Sequence, residues 1–135
     1  MIDKGFCEQT IDIILASRRG KSVDIYEKAL KIHRDLRGKI EIHVKEHANN
    51  RKKLSILYTP GVAEVARKIH ENELLVNELT MRWNFVAVIS DGSAVLGLGN
   101  VGPYAAMPVM EGKALLFKEF GGVDAVPLCI STQDV

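Results

Sequence analysis

Cysteine is scarce in this chain. Cys7 and Cys129 stand far apart, match no metal-ligand spacing and offer no disulfide framework. Two idle thiols suit a reducing, cytoplasmic setting. An excess of either charge is lacking too: the formal net charge is +1, which removes the electrostatic case for a nucleic acid or an anionic membrane as partner. No apolar run approaches the ~20 residues of a membrane span. The opening "MIDKGFCEQTIDIILASRRG" does not follow the basic, apolar, small-residue order of a secretory leader. Internal repeats and low-complexity segments are absent.

What is present is an ordinary globular balance, with 47% hydrophobic and 26% charged residues over a length that can bury a core. Glu8 to Ala16 reads as a short helix stopped by "SRRG". Ser22 is placed to cap a second helix through Leu36, with Ile25, Ala29, Ile32 and Leu36 at helical spacing. "KIEIHV" alternates as a strand, and "KEHANNRKK" reads as a polar connection. In "YTPGVAEVARKIH", Thr59 is the expected N-cap and Pro60 the first helical residue. Val62, Val65, Ala66 and Ile69 form the core face of that helix, and Glu73 to Leu79 forms another short one.

"FVAVIS" is a near-continuous apolar run, as expected of a strand covered on both faces. "DGS" signals a turn and "AVLGLG" a second strand of a hairpin. "NVGPYAAM" reads as a loop, followed by a helix that closes at Gly121-Gly122. "AVPLCI" is the last strand. These elements together predict an α/β layout with helices on both faces of a small sheet.

Three features bear on chemistry. "GLGNVG" places Gly97, Gly99 and Gly102 at the dinucleotide spacing, but that signal needs a helix opening at the third glycine inside a βαβ unit. With Pro103 following and a hairpin preceding, a glycine-rich turn lining a cleft is the preferred reading over a pyrophosphate cradle. His43 and His47, four apart in "HVKEH", leave a strand for a polar loop and read as solvated. His33 and His70 have no constellation around them, so no metal site is visible.

Tyr58 precedes a helix start, where free N–H groups and the macrodipole favour a phenolate and so suit a proton donor. The commoner outcome is a tyrosine stapled onto the first turn. Lys113, in "PVMEGKALLFKEF", shares a stripe with Val109, Leu116 and Phe120. Such a lysine usually snorkels to water. One that cannot reach water favours its neutral form, and a neutral amine is a competent general base. Helix geometry alone leaves both readings open. Gly112 beside it costs about 1 kcal/mol relative to alanine in a helix, which suggests a need for close approach there.

The segments "LYTPGVAEVAR", "NFVAVISDGSAVLGLGNVGP" and "PVMEGKALLFKEFGGVDAVPLCI", in this order, resemble the N-terminal domain of the malic enzyme family, and "ALKIHRDLRGKIEI" fits its smaller, prokaryotic-type branch. The likeness runs from about Ala29 to the end. It implies a three-layer α/β/α domain with a small, mostly parallel sheet of about four strands, similar to the N-terminal domain of amino-acid dehydrogenases, over residues 25–135. Residues 1–24 would be a helical extension. It also implies oxidation of L-malate with NAD or NADP and decarboxylation to pyruvate, with Mg²⁺ or Mn²⁺ polarising the intermediate ketone. The family's general acid falls on Tyr58 and its general base on Lys113.

The resemblance also implies what is missing. The family's metal ligands and Rossmann domain would follow the last residue of this chain, so a second domain or subunit is the expected partner, along with a homodimer. The stop at "STQDV", just after a buried-looking strand, agrees with a subunit or fragment boundary. Gly97, Gly99 and Gly102 then become a turn near the cleft, and Gly112 the residue that lets substrate approach. The larger enzymes carry a carboxylate-binding arginine where this chain has Ser93 and Ala94. A malolactic enzyme and a non-catalytic regulatory partner are the alternative readings.

Overall fold

In the computed structural model the described residues are 22–132 and 134. The expected helix over Glu8–Ala16 lies outside them. The chain divides into two compact units, residues 1–38 and 39–135. In the first, helix α1 spans Ser22–Leu36, the span that the apolar spacing predicts. Asp24 and Lys28 pair along its surface at 2.6 Å. Arg37 takes a positive φ of 57°, and the Gly38 N–H turns back to the His33 carbonyl, which ends the helix.

The second unit is built around a parallel β-α-β element. Strand β1 (Phe85–Ser90) pairs in parallel with β2 (Asp124–Cys129), from Phe85 opposite Asp124 to Ser90 opposite Cys129. Pro127, which brings no N–H, is tolerated because β2 is an edge strand. The crossover is the long helix α5, Gly102–Gly121, which packs on both strands. Ala106, Met110 and Ala114, four residues apart, form its buried stripe. The small side chains let the helix approach the sheet, where Ala125 meets it as the buried residue of β2. Gly122 at φ 66° closes α5: its N–H reaches the Lys118 carbonyl and that of Val123 reaches Phe117.

Within this unit three α-helices precede β1. Helix α2 spans Arg51–Leu57, α3 spans Val62–Glu71 and the single turn α4 spans Val76–Leu79, with 3₁₀ turns at Glu73–Leu75 and Met81–Asn84. Helix α2 falls where a connection was expected. Asn50 caps it by accepting from the Lys53 N–H at 2.9 Å, and the polar run hid a helix with Leu54 and Leu57 on it.

Several strand expectations fail for identifiable reasons. Residues 40–44 of "KIEIHV" take no regular structure and find no ladder partner, so alternation alone made no strand. "AVLGLG" is a tight turn: Val95 and Gly99 exchange both backbone hydrogen bonds, while Gly97 and Gly99 take φ values of 78° and 75°. The described residues therefore hold two strands rather than about four, and the sheet is parallel. Val86, Ile89 and Leu128 remain exposed, so the cover on both faces expected for β1 is incomplete within this unit.

Candidate active site

Tyr58 sits at the joint of two helices. Its N–H donates to the Leu54 carbonyl at 2.9 Å and ends α2, while its own carbonyl accepts from Val62 at 2.7 Å and starts α3. The expected cap at Thr59 does not form. The Thr59–Pro60 bond is cis, and the Gly61 N–H returns to the Ser55 carbonyl at 2.8 Å, so α3 begins only at Val62. A Cβ at Gly61 would lie 2.3 Å from the Ile56 carbonyl oxygen, and backbone packing therefore demands glycine there. Tyr58 is 66% exposed and is not stapled beneath the first turn of α3.

Lys113 lies in the middle of α5, one residue before buried Ala114, and its side chain is exposed. It makes no hydrogen bond or ion pair among the described residues. The burial that the apolar stripe called for is thus not supplied by this unit. Leu116, on the same stripe, is also exposed. No hydrogen bond joins Tyr58 to Lys113 among the described residues. The main packing of the unit runs between α5 and the strands and through the turns before β1, and α2 takes little part in it.

The glycine loop ends differently from expectation. Helix α5 opens at Gly102 itself, within a parallel β-α-β unit, so "GPYAAM" is helix rather than loop. Gly97, Gly99 and Gly102 all take positive φ, and Leu96 at the tip of the turn is fully exposed. The start of the helix is already engaged, because the N–H groups of Val101 and Gly102 both donate to the Gly92 carbonyl, at 3.0 and 3.2 Å. Pro103 supplies no N–H. Few amides remain there for a pyrophosphate, in contrast to a dinucleotide fingerprint.

Ser90 and Asp91 fix the same loop. Ser90 Oγ accepts from the Gly92 N–H, and Asp91 accepts from both the N–H and the hydroxyl of Ser93. The Ser93 N–H and then its hydroxyl hold the Asp91 carboxyl below the usual carboxylate range. At the far end of the sheet, the Lys118 ammonium donates to Asp124 at 2.7 Å and lowers its carboxyl in the same sense, with help from Asn84.

Sequence reasoning had no route to Lys39. Its N–H donates to the Glu111 carboxylate at 3.2 Å, and its ammonium to the Pro108 carbonyl at 2.7 Å, which ties the start of the unit to α5 beside Gly112. Residues so far apart in sequence leave no local signal for such a contact. A groove of about 820 Å³ runs between residues 39–45, Trp83, β2 and the Leu115–Lys118 side of α5. Neither Tyr58 nor Lys113 lines it, so it is separate from the acid–base candidates. Lys45 lies over the Trp83 ring at its edge, 5.8 Å from the centroid.

Among the described residues, no three His, Cys, Asp or Glu side chains converge on a point that could hold a metal. The donor set therefore does not fit a divalent cation. No helix among them is long and apolar enough to cross a membrane.

The helical crossover between two parallel strands makes this unit an α/β domain. Residues 37–134 match the family model described as malic enzyme, N-terminal domain. The bifunctional malic/malolactic enzyme of Bacillus subtilis is 53% identical over 113 residues, 84% of this chain and 28% of that protein. The NAD-dependent malic enzyme of Geobacillus stearothermophilus is 49% identical over 133 residues, 98% of this chain and 27% of that one. In three dimensions, the malic enzyme of Pyrococcus horikoshii superposes with a TM-score of 0.77 at 53% identity, over 82% of this chain and 26% of that one. The NAD-dependent malic enzyme of Thermotoga maritima gives 0.75 at 57%, over 78% and 30%. This chain belongs to the malic enzyme family, as an N-terminal domain. It spans little more than a quarter of the length of the two relatives compared by sequence.

Proposed function

We propose that this domain supplies the acid–base pair for oxidative decarboxylation of L-malate to pyruvate. The observation that carries the reading is Lys113: an exposed amine, without a partner among the described residues, at the centre of the crossover helix in a domain 53–57% identical to those of solved malic enzymes. Lys113 Nζ accepts the proton of the C2 hydroxyl as the alcohol is oxidised. After carbon dioxide has left, Tyr58 Oη returns a proton to C3. Its place supports that role: Tyr58 is exposed at the joint where α2 ends and α3 begins. The glycine loop with Leu96 at its tip borders the cleft and holds no dinucleotide.

The dinucleotide, NAD or NADP, and the divalent metal, Mg²⁺ or Mn²⁺, would be held outside the described residues by a Rossmann-type domain or subunit, and would supply the hydride acceptor and the Lewis acid of the reaction. A homodimer is the proposed assembly. Support comes from α1, which exposes Ile25, Leu30, Ile32 and Leu36 along its length. The proposed setting is the cytoplasm. A malolactic variant of the reaction is the second reading, favoured by the bifunctional malic/malolactic relative.

The test is turnover by the enzyme assembled with its dinucleotide-binding portion. Lys113→Ala and Tyr58→Phe should each lower turnover about 10²- to 10⁴-fold, the usual worth of a positioned acid or base. Pyruvate against lactate as product separates the two readings. Malate-dependent NAD(P)H formation by the 135-residue chain alone would overturn the proposed division of labour.

A further inference from the structure

Each described glycine other than Gly112 has a local reason to be glycine or sits where glycine costs little. Gly38, Gly92, Gly97, Gly99, Gly102 and Gly122 have positive φ. At Gly61 a Cβ would collide with backbone, and Gly121 is the last residue of α5, where helix propensity matters least. Gly112 has neither excuse. It lies in the interior of a 20-residue helix, its φ is not positive, and a Cβ built there would meet nothing within 4 Å. Alanine would fit the domain and favour the helix. The space that a side chain would fill is open, and packing within the unit does not account for the glycine.

The surroundings point to another reason. Lys113 is the next residue, exposed and without a partner among the described residues. The neighbouring Glu111 carboxylate is held by the Lys39 N–H, and the Lys39 ammonium is spent on the Pro108 carbonyl. Helical side chains lean toward the N-terminus, so residues 112 and 113, about 100° apart around α5, overhang the preceding turn on adjoining sides. A base must also come within about 3 Å of the proton it removes. A small molecule that presents a hydroxyl to Lys113 has the bare α5 backbone at Gly112 on the adjoining side of the helix, with no Cβ to exclude it.

We propose that Gly112 is a specificity-determining residue, whose missing side chain leaves the space in which the hydroxy-acid substrate lies against α5 beside Lys113. This inference rests on Lys113 being the base of the proposed function.

The test compares the parent, Gly112→Ala and Gly112→Val in the assembled enzyme. Melting temperature, KM for malate, KM for the dinucleotide and assembly mass are all measured. Gly112→Ala should raise the melting temperature by about 1–4 °C, because alanine is the better helix former. It should raise KM for malate about tenfold or more while leaving KM for the dinucleotide unchanged, with a larger effect for valine. Such a split is not what a merely structural glycine would give. An unchanged KM for malate overturns the proposal, and so does a loss of assembly mass, which would assign the space to a protein contact. Lys113→Ala run alongside separates the two ideas: if it leaves turnover intact the base assignment falls, and if it abolishes turnover while Gly112→Ala leaves KM unmoved only the Gly112 proposal falls.

Discussion

The β1-α5-β2 element and the helical run from Arg51 to Leu79 both carry many apolar residues and use them differently. Val95, Ala106, Met110, Ala114 and Ala125, the buried hydrophobic residues among those described, all belong to the first or to its connecting loop. Helices α2, α3 and α4 bury none. The crossover is held by its own packing. In the helical run, Leu54, Ile56, Leu57, Val62, Val65 and Leu79 are exposed and have little to bury against in this unit. Tyr58 sits in this thinly packed run, and Lys113 on the solvent side of the well-packed helix. The proposed acid and base are therefore supported to different degrees.

That difference can be broken or sharpened by substitution. Met110→Ala in the crossover core should cost about 3 kcal/mol in chemical denaturation, whether or not the domain is assembled with a partner. Leu57→Ala should cost well under 1 kcal/mol in this chain alone, within the range of surface substitutions. A larger cost for Leu57→Ala after assembly would show that the helical run gains its core from outside. Equal costs for Met110→Ala and Leu57→Ala in the isolated chain would erase the contrast.

Gly92→Ala comes next. Its Cβ would lie 2.1 Å from the Gly102 carbonyl oxygen, in a residue with φ 75°, so the loop must open at the start of α5. The expected loss is about 2 kcal/mol. In the helical run, Asn50→Ala removes the cap of α2 and should cost about 1 kcal/mol, with increased amide exchange confined to Arg51–Leu57.

The smallest effect concerns Asp124. Lys118 holds its carboxyl below the ordinary value of about 3.9, so the folded state binds that proton less readily than the unfolded chain. The resulting stability is present above about pH 4 and is lost as pH falls through the lowered folded value. Asp124→Asn should flatten the acid limb of the stability profile while leaving the slope near neutral pH unchanged. An unaltered acid limb would show that the exposed pair contributes nothing.

Legibility of the sequence followed the same divide. The runs "FVAVIS" and "AVPLCI" and the stop at Gly121-Gly122 are local signals, and each corresponds to an observed boundary. "KIEIHV" shows the limit of periodicity, because alternation specifies an extended backbone but a ladder also needs a neighbour. In "AVLGLG", glycine conformation overrode the strand pattern. The apolar stripe around Lys113 was legible as a surface meant to be covered. That Lys113 and Leu116 on it stay exposed in this unit was not, since no residue in the stripe encodes what packs on it.

The most direct test of the account is turnover of L-malate by Lys113→Ala in the assembled enzyme, with and without an added small primary amine. With Lys113 as the base, turnover falls at least about 10²-fold and partly recovers as the free amine concentration rises, because a diffusible base can occupy the vacated place. Turnover equal to the parent, or a loss that no amine restores while Gly112→Ala binds malate normally, would contradict the assignment of Lys113 as the base.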